Sequence, residues 1–120
     1  MGEQMHLIGF YMHSPINHSA MSWAAPDDDR LAGMAGFSHW TRLARTLEKG
    51  RFDAAFFADT PGGYDWYRDS LDDYVRHAVC WPSHDPMAPL TAMGAATTHL
   101  GLALTLSTSG SHPYQTVRRL

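Results

Sequence analysis

The sequence predicts an α/β fold in which three strands alternate with helices. Three short apolar runs cover residues 6–12, 52–58 and 100–107, and segments with helical spacing lie between them. The middle run is apolar without alternation, which is typical of a parallel strand covered on both faces. The order strand, helix, strand, helix, strand therefore indicates a parallel sheet with right-handed crossovers.

The first strand is predicted over residues 6–12, where apolar and aromatic residues surround Gly9. A glycine inside a strand indicates that another group approaches the backbone closely. The segment 13–36 that follows is irregular and contains two prolines and three consecutive aspartates. Loops of this length in a compact domain are usually functional or disordered.

A helix is predicted over residues 38–49, because apolar residues recur there at the helical period. They are Phe37, Trp40, Leu43, Ala44 and Leu47. Ser38 is a candidate amino-terminal cap, and Gly50 is expected to end the helix in the left-handed conformation. Glu48 lies off the apolar stripe and is expected to be solvated.

The second strand is predicted over residues 52–58, and Asp59 follows it at once. Residues 60–83 form a second long insertion, rich in aromatic and acidic side chains, with a short helix expected near residues 70–79. Because both insertions follow strands, they should lie together at the carboxyl ends of the parallel strands. That edge carries the active sites of α/β folds.

Residues Asp85 and Pro86 predict the start of the next helix, with Asp85 as its cap and Pro86 at its first position. The third strand is predicted over residues 100–107. After a turn of small residues, Pro113 is expected to open a further helix. These signals complete the alternation on which the fold prediction depends.

Composition and charge exclude several classes of function. The chain has 120 residues, of which 44% are hydrophobic and 18% charged, as in globular domains. A formal net charge of −3 argues against nucleic acid or an anionic membrane as a partner. No apolar run approaches the roughly 20 residues of a membrane helix, and no signal peptide is evident. The single Cys80 excludes an internal disulfide and favours a reducing cytoplasm.

Four polar residues near the predicted carboxyl ends of strands are candidates for ligand binding. Asp59 follows the second strand, and the hydroxyl residues Thr105, Ser107 and Thr108 lie along or just past the third. Thr105 and Ser107 are expected on one face, because side chains alternate along a strand. Each residue also has a purely structural interpretation, as a cap, a turn residue or a packed side chain. Position alone leaves both interpretations open.

Motifs for metals and nucleotides are not found in the sequence. None of the eight histidines lies in an HExxH pattern and no CxxC pair is present, so zinc is not expected. The acidic run at residues 27–29 lacks the spacing of a calcium loop, and no GxGxxG follows a strand. Cys80 is expected to be a packed thiol rather than a nucleophile.

Three segments, in order and at consistent spacing, resemble the bacterial luciferase-like superfamily. They are residues 48–59 (EKGRFDAAFFAD), 81–87 (WPSHDPM) and 100–114 (LGLALTLSTSGSHPY). Within that superfamily they resemble the flavin-dependent monooxygenases typified by the nitrilotriacetate and dibenzothiophene sulfone enzymes. Each segment alone is a weak signal, whereas their combination spans nearly the whole chain.

The resemblance implies a TIM barrel that uses reduced FMN and O₂ to oxidise a small organic substrate. A separate NAD(P)H-dependent flavin reductase would supply the reduced flavin, and a cytoplasmic, homo-oligomeric enzyme is expected. Asp59 and Thr105 correspond to flavin-contacting positions, with Ser107 and Thr108 as near candidates, and no catalytic residue or metal ligand is assigned. Long aromatic loops agree with this chemistry, since reduced flavin that meets O₂ must be shielded from water.

The sequence departs from this family in length. A complete barrel has eight strands and about 250 residues, whereas three strands are predicted here. Residues 1–120 are therefore expected to be the amino-terminal part of one barrel domain, inactive alone, with the flavin-phosphate site beyond Leu120. The alternatives are a complete non-catalytic module that binds flavin or another ligand, and a flavin-storage relative of the luciferases.

Overall fold

The computed structural model describes residues 4–15, 26–27, 33–34, 36–60 and 62–120. Within these residues a three-stranded sheet forms in the order β1-β2-β3. The strands are β1 (Ile8–Met12), β2 (Ala54–Ala58) and β3 (Gly101–Leu104). Both strand pairs are parallel. The predicted parallel α/β fold is therefore confirmed, with strands shorter than the apolar runs that predicted them.

Four helices connect or follow these strands in the described residues. They are α1 (Ser38–Lys49), α2 (Asp72–Arg76), α3 (Met87–Ala95) and α4 (Pro113–Arg119). The bounds of α1 match the prediction, and Pro113 begins α4 as expected. Helix α3 begins one residue later than predicted, although the carboxylate of Asp85 does accept a hydrogen bond from the N–H of Met87 at 3.0 Å.

Two expectations about the ends of α1 are wrong. The cap position is Phe37, with no side-chain hydrogen bond, so Ser38 does not cap the helix. Gly50 has φ −76°, and the left-handed residue is Arg51 with φ 61°. The chain therefore makes the turn one residue after Gly50. Phe37, expected on the apolar stripe, is 57% exposed.

The main core lies between the helices and one face of the sheet. Its buried members are Trp40, Ala44 and Leu47 of α1, Ala55 and Phe57 of β2, Leu90 and Met93 of α3, and Leu100. The rings of Trp40 and Phe57 lie 5.3 Å apart. The predicted stripe of α1 thus covers the sheet, as its spacing requires.

The opposite face of the sheet is apolar and open to solvent. Ile8 and Phe10 of β1 are 60% and 53% exposed, and the Phe10 and Phe56 rings lie 5.7 Å apart. In a closed barrel this face would be the packed interior.

Most of the first insertion, including Asp28 and Asp29 of the acidic run, lies outside the described residues. At its described beginning, His13 and Ser14 are buried. Among the described residues, no helix is long and apolar enough to cross a membrane.

Candidate functional site

The carboxyl ends of the three strands lie at one edge of the sheet, as parallel pairing requires. Phe57 pairs with Leu104, and the N–H of Thr105 donates to the carbonyl of Phe57 at 2.9 Å. The parallel hydrogen-bonding pattern therefore continues one residue past β3. Thr105 lies opposite Ala58, the last residue of β2, and Asp59 is the next residue along the chain. Both predicted insertions leave the sheet at this edge.

Asp59 is half-buried in a polar group assembled from distant parts of the chain. Burial is the largest cause that raises the pKa of its carboxyl above the ordinary value, and the charge of Asp85 adds to it. Arg119 and the Ser83 hydroxyl oppose the shift. The protein therefore holds Asp59 where its charge is only partly compensated, which is common at functional sites.

Asp85 joins three segments at this edge. Its carboxylate lies 2.6 Å from Nη2 of Arg119, and its backbone carbonyl accepts a hydrogen bond from Nδ1 of the buried His13 at 3.0 Å. The Nε of Arg119 is buried and has no hydrogen-bond partner among the described residues. Sequence reasoning named Asp85 only as a cap and missed Ser83 and Arg119, because no local pattern relates them to Asp59.

The three hydroxyl candidates after β3 have different surroundings. Thr105 is half-buried and continues the ladder. Its hydroxyl makes no hydrogen bond to the described residues. The hydroxyl of Ser107 accepts from the N–H of Gly110 at 3.3 Å, and Thr108 is exposed. Since β3 ends at Leu104, the expectation that Thr105 and Ser107 share one strand face does not hold.

The described part of the chain contains no group of three or more His, Cys, Asp or Glu residues arranged to hold a metal ion. His13 instead packs its ring against Trp40 and His84, at 5.3 and 5.2 Å between centroids. This histidine therefore fixes the start of the first insertion against α1 and the segment before α3.

A second buried cluster packs against the last residues of β1 and β2, next to Asp59 in the chain. It consists of Met12, Tyr74 and Cys80, with Ala58 and Tyr64 packed against it. Cys80 is 3% exposed and burial raises the pKa of its thiol, so it is a packed thiol, in agreement with the prediction. The Tyr74 hydroxyl donates to the Cys80 carbonyl at 3.4 Å.

The amino end of the sheet carries two carboxylates that serve the backbone. Oε1 of Glu48 accepts hydrogen bonds from the N–H groups of residues 98, 99 and 100, at 2.8, 2.6 and 3.2 Å. Oδ2 of Asp53 accepts from the N–H of Leu7 at 2.7 Å, and its other oxygen lies 3.1 Å from Nδ1 of His6. The sequence predicted Glu48 as a solvated side chain and gave no indication that it binds three backbone N–H groups before β3.

The chain is similar over nearly its whole length to proteins named as monooxygenases. It is 42% identical over 121 residues to the long-chain alkane monooxygenase of Geobacillus thermodenitrificans, covering 100% of this chain and 27% of that protein. Identity is 36% to the dimethyl-sulfide monooxygenase of Hyphomicrobium sulfonivorans, over 100% of this chain and 25% of the relative. Identity is also 36% to the dibenzothiophene-sulfone monooxygenase of Rhodococcus erythropolis (strain XP), over 96% of this chain and 25% of that protein. No family model matches the chain.

Solved structures agree with these relatives. The long-chain alkane monooxygenase LadA superposes with a TM-score of 0.92 at 41% identity, over 99% of this chain and 27% of that chain. The riboflavin lyase RcaE, solved with modified FMN and riboflavin, superposes with a TM-score of 0.80 at 28% identity, over 98% of this chain and 26% of that chain.

The three parallel strands with their helices match the amino-terminal β-α-β-α-β part of the (β/α)₈-barrel monooxygenases to which the chain is similar. The chain is a homologue of the luciferase-like flavin-dependent monooxygenases, as its sequence segments indicated. It spans about a quarter of the length of the curated relatives it matches.

Proposed function

We propose that this chain is part of a monooxygenase that uses reduced FMN and O₂ to oxidise a small organic substrate. The observation that carries the proposal is that polar residues lie at adjacent strand ends: Thr105 stands opposite Ala58, the residue before Asp59. The charge of the Asp59 carboxyl is only partly compensated, and the Thr105 hydroxyl bonds none of the described residues. Polar groups at this edge of a parallel sheet are where barrel enzymes bind their ligands.

Residues 1–120 are proposed to belong to one barrel domain that contains further strands. The exposed side chains of Ile8 and Phe10 support this, because further strands would cover that face. So does the length of the relatives, of which the chain matches 27% and 25% in two cases. The 120 residues alone supply only part of a flavin site, so turnover by them is not expected.

The residues at the strand ends fit a flavin ring chemically. A threonine hydroxyl can donate to a ring carbonyl or accept from a ring N–H, and Thr105 has this capacity free among the described groups. Asp59, whose pKa is raised by burial, can accept a hydrogen bond or hold a proton at its carboxyl. Ser107 and Thr108 are proposed as outer contacts. When bound, reduced FMN would supply the activation of O₂ and the transfer of an oxygen atom.

The protein's own contribution is to orient the ring and exclude water. The insertion between β2 and α3 places Tyr74 and Cys80 over the ends of β1 and β2 with almost no exposed surface. A dry environment of this kind prevents loss of the activated oxygen to solvent.

We also propose that a separate NAD(P)H-dependent flavin reductase is the partner and that the protein acts in the cytoplasm as a homo-oligomer. Cys80 is the single cysteine of the 120 residues, so no disulfide forms within them, which supports a reducing compartment. Gel filtration coupled to light scattering measures the assembly state, and a monomeric full-length protein would contradict that part.

The test of the function is oxygen use by the full-length protein supplied with FMN, NADH and a flavin reductase. A long-chain alkane such as hexadecane, dimethyl sulfide and dibenzothiophene sulfone serve as trial substrates, because relatives are named for these classes of compound. We expect one oxygen atom from ¹⁸O₂ in the product of at least one substrate. Tight FMN binding with oxygen uptake that no substrate changes would favour a flavin-storage protein.

A further inference from the structure

An aromatic cleft lies beside the strand-end site, and none of the residues proposed to bind flavin lines it. It has a volume of about 420 Å³ in the second insertion. Its walls include Tyr64, Trp66, Tyr67, Tyr74, His77 and Val79. We refer to this surface as the aromatic cleft.

The inner wall of the aromatic cleft rests on the ends of the strands. Tyr64 meets the ring of Tyr74 edge-on, with centroids 5.7 Å apart. Tyr74 in turn packs with Met12 at the end of β1, and both tyrosines lie in the cluster that contains Ala58. Since Ala58 directly precedes Asp59, the cleft begins next to the proposed flavin site.

The outer wall is apolar and exposed to an unusual degree. The Trp66 ring lies 5.1 Å from the Tyr64 ring, yet Trp66 is 85% exposed and Tyr67 60%. An exposed apolar patch of this kind usually marks a binding surface. Rings held in fixed positions favour a ligand that can stack on them or fill the space between them.

The charges at the aromatic cleft do not suit an anionic ligand. No Lys or Arg lines it among the described residues. The carboxylate Asp73 lies on its wall, with its nearest described cation, Arg76, at 3.9 Å. Arg68 stands over the Tyr67 ring at 5.0 Å and is not part of the lining. A substrate bearing several carboxylates would therefore find the like charge of Asp73, the imidazole of His77 and no Lys or Arg in this wall.

We infer that the aromatic cleft binds the organic substrate of the proposed monooxygenase, and that this substrate is a neutral, apolar molecule. The inference rests on the proposed function, since the cleft adjoins the site assigned to flavin. It assigns the aromatic side chains to substrate positioning.

The test uses isothermal titration of the full-length, flavin-free protein with two matched probes, naphthalene and naphthalene-2,6-dicarboxylate. We expect saturable binding of naphthalene and at least tenfold weaker binding of the dicarboxylate. The change Trp66→Ala should weaken naphthalene binding about tenfold, because it removes one stacking surface. Trp66→Phe should restore most of the affinity. The matched control is Tyr114→Ala, which removes a 64% exposed ring that does not line the cleft.

Three results would overturn the inference: dicarboxylate binding as tight as naphthalene binding, naphthalene affinity unchanged by Trp66→Ala, or disassembly of an oligomer by that variant. The last would make the cleft an interface between copies. Because Trp66 is largely exposed, its removal should leave the melting temperature unchanged, which distinguishes lost binding from misfolding. Titration with reduced FMN runs in parallel. If FMN fails to bind while naphthalene binds, the proposed function fails. The assignment of a neutral, apolar ligand to the aromatic cleft then stands without the role of that ligand as a monooxygenase substrate.

Discussion

The two ends of the sheet treat their carboxyl groups in opposite ways. At the amino end, hydrogen bonds from the N–H groups of His99 and Thr98 hold the pKa of Glu48 below its usual value. At the carboxyl end, burial and the nearby charge of Asp85 raise the pKa of Asp59. At the amino end, the carboxylates of Glu48 and Asp53 bind backbone N–H groups and join separate segments of the chain. At the carboxyl end, the surroundings of Asp59 disfavour its charged form. The carboxyl groups therefore separate a stabilising end of the sheet from the end proposed to bind a ligand, as in barrel architecture.

The largest expected effect comes from Gly101→Ala at the amino end. A Cβ at this position would lie 2.8 Å from the backbone carbonyl oxygen of Asp53, a contact that cannot be relieved by side-chain rotation. The same carbonyl accepts the N–H of Gly101 at 2.8 Å. Since backbone must move, the free energy of unfolding should fall by about 1–3 kcal/mol, measured by urea denaturation.

The control for this prediction is Gly62→Ala in the second insertion. A Cβ there meets nothing within 4 Å, and Gly62 does not have positive φ. Its unfolding free energy should stay within about 0.5 kcal/mol of wild type. Equal losses in the two variants would show that the amino end has no special constraint.

The sequence was sufficient to predict the alternating elements, because each depends on local signals. The apolar stripe of α1 and the proline that opens α4 act within one or two turns of a helix. The unbroken apolar run of β2 is likewise a local pattern. For the same reason Asp59 could be singled out, since its position after β2 defines its edge of the sheet.

Long-range contacts explain what could not be predicted. The partners of Glu48 lie 50 to 52 residues later in the chain. Asp85 precedes β3 in the chain and pairs with Arg119 of α4, which follows β3. The second insertion also places Arg68, Asp69, Ala78 and Cys80 in the left-handed region. Non-glycine residues rarely adopt that conformation, so turn signals in the sequence give no indication of its path.

The next largest effect is expected from Glu48→Gln at the amino end. Because the folded-state pKa of Glu48 is lowered, its stabilising contribution is complete above the unfolded value of about 4.3. That contribution is lost as pH falls through the folded-state pKa. The melting temperature of the variant should therefore be lower than wild type at pH 7, and the difference should shrink toward pH 3. Asp73→Asn, whose partner Arg76 is 3.9 Å away, is the control with little change at either pH.

Asp59→Asn should show the reverse dependence at the carboxyl end. A raised folded-state pKa means that the protonated form stabilises the protein below the unfolded pKa of about 3.9. That stabilisation is lost as pH rises through the folded-state pKa of Asp59. The variant should therefore melt at or above the wild-type temperature at pH 7 and converge with it in acid, while its affinity for reduced FMN falls. A lower melting temperature with unchanged FMN affinity would make Asp59 a structural residue.

The smallest effect is expected from Thr105→Val, which keeps the shape of the side chain and removes its hydroxyl. No described group bonds that hydroxyl, so folding should lose little and the melting temperature of the flavin-free protein should stay near wild type. If the hydroxyl bonds flavin, binding of reduced FMN should weaken by about 1 kcal/mol, roughly fivefold, in an anaerobic titration of the full-length protein. Thr97→Val makes the same change before β3, where the hydroxyl donates to the Met93 carbonyl at 2.9 Å. That variant should lower the melting temperature and leave FMN affinity unchanged. If instead Thr105→Val destabilised the fold and left FMN affinity unchanged, Thr105 would be removed from the proposed site, and Asp59, which follows β2, would remain in it.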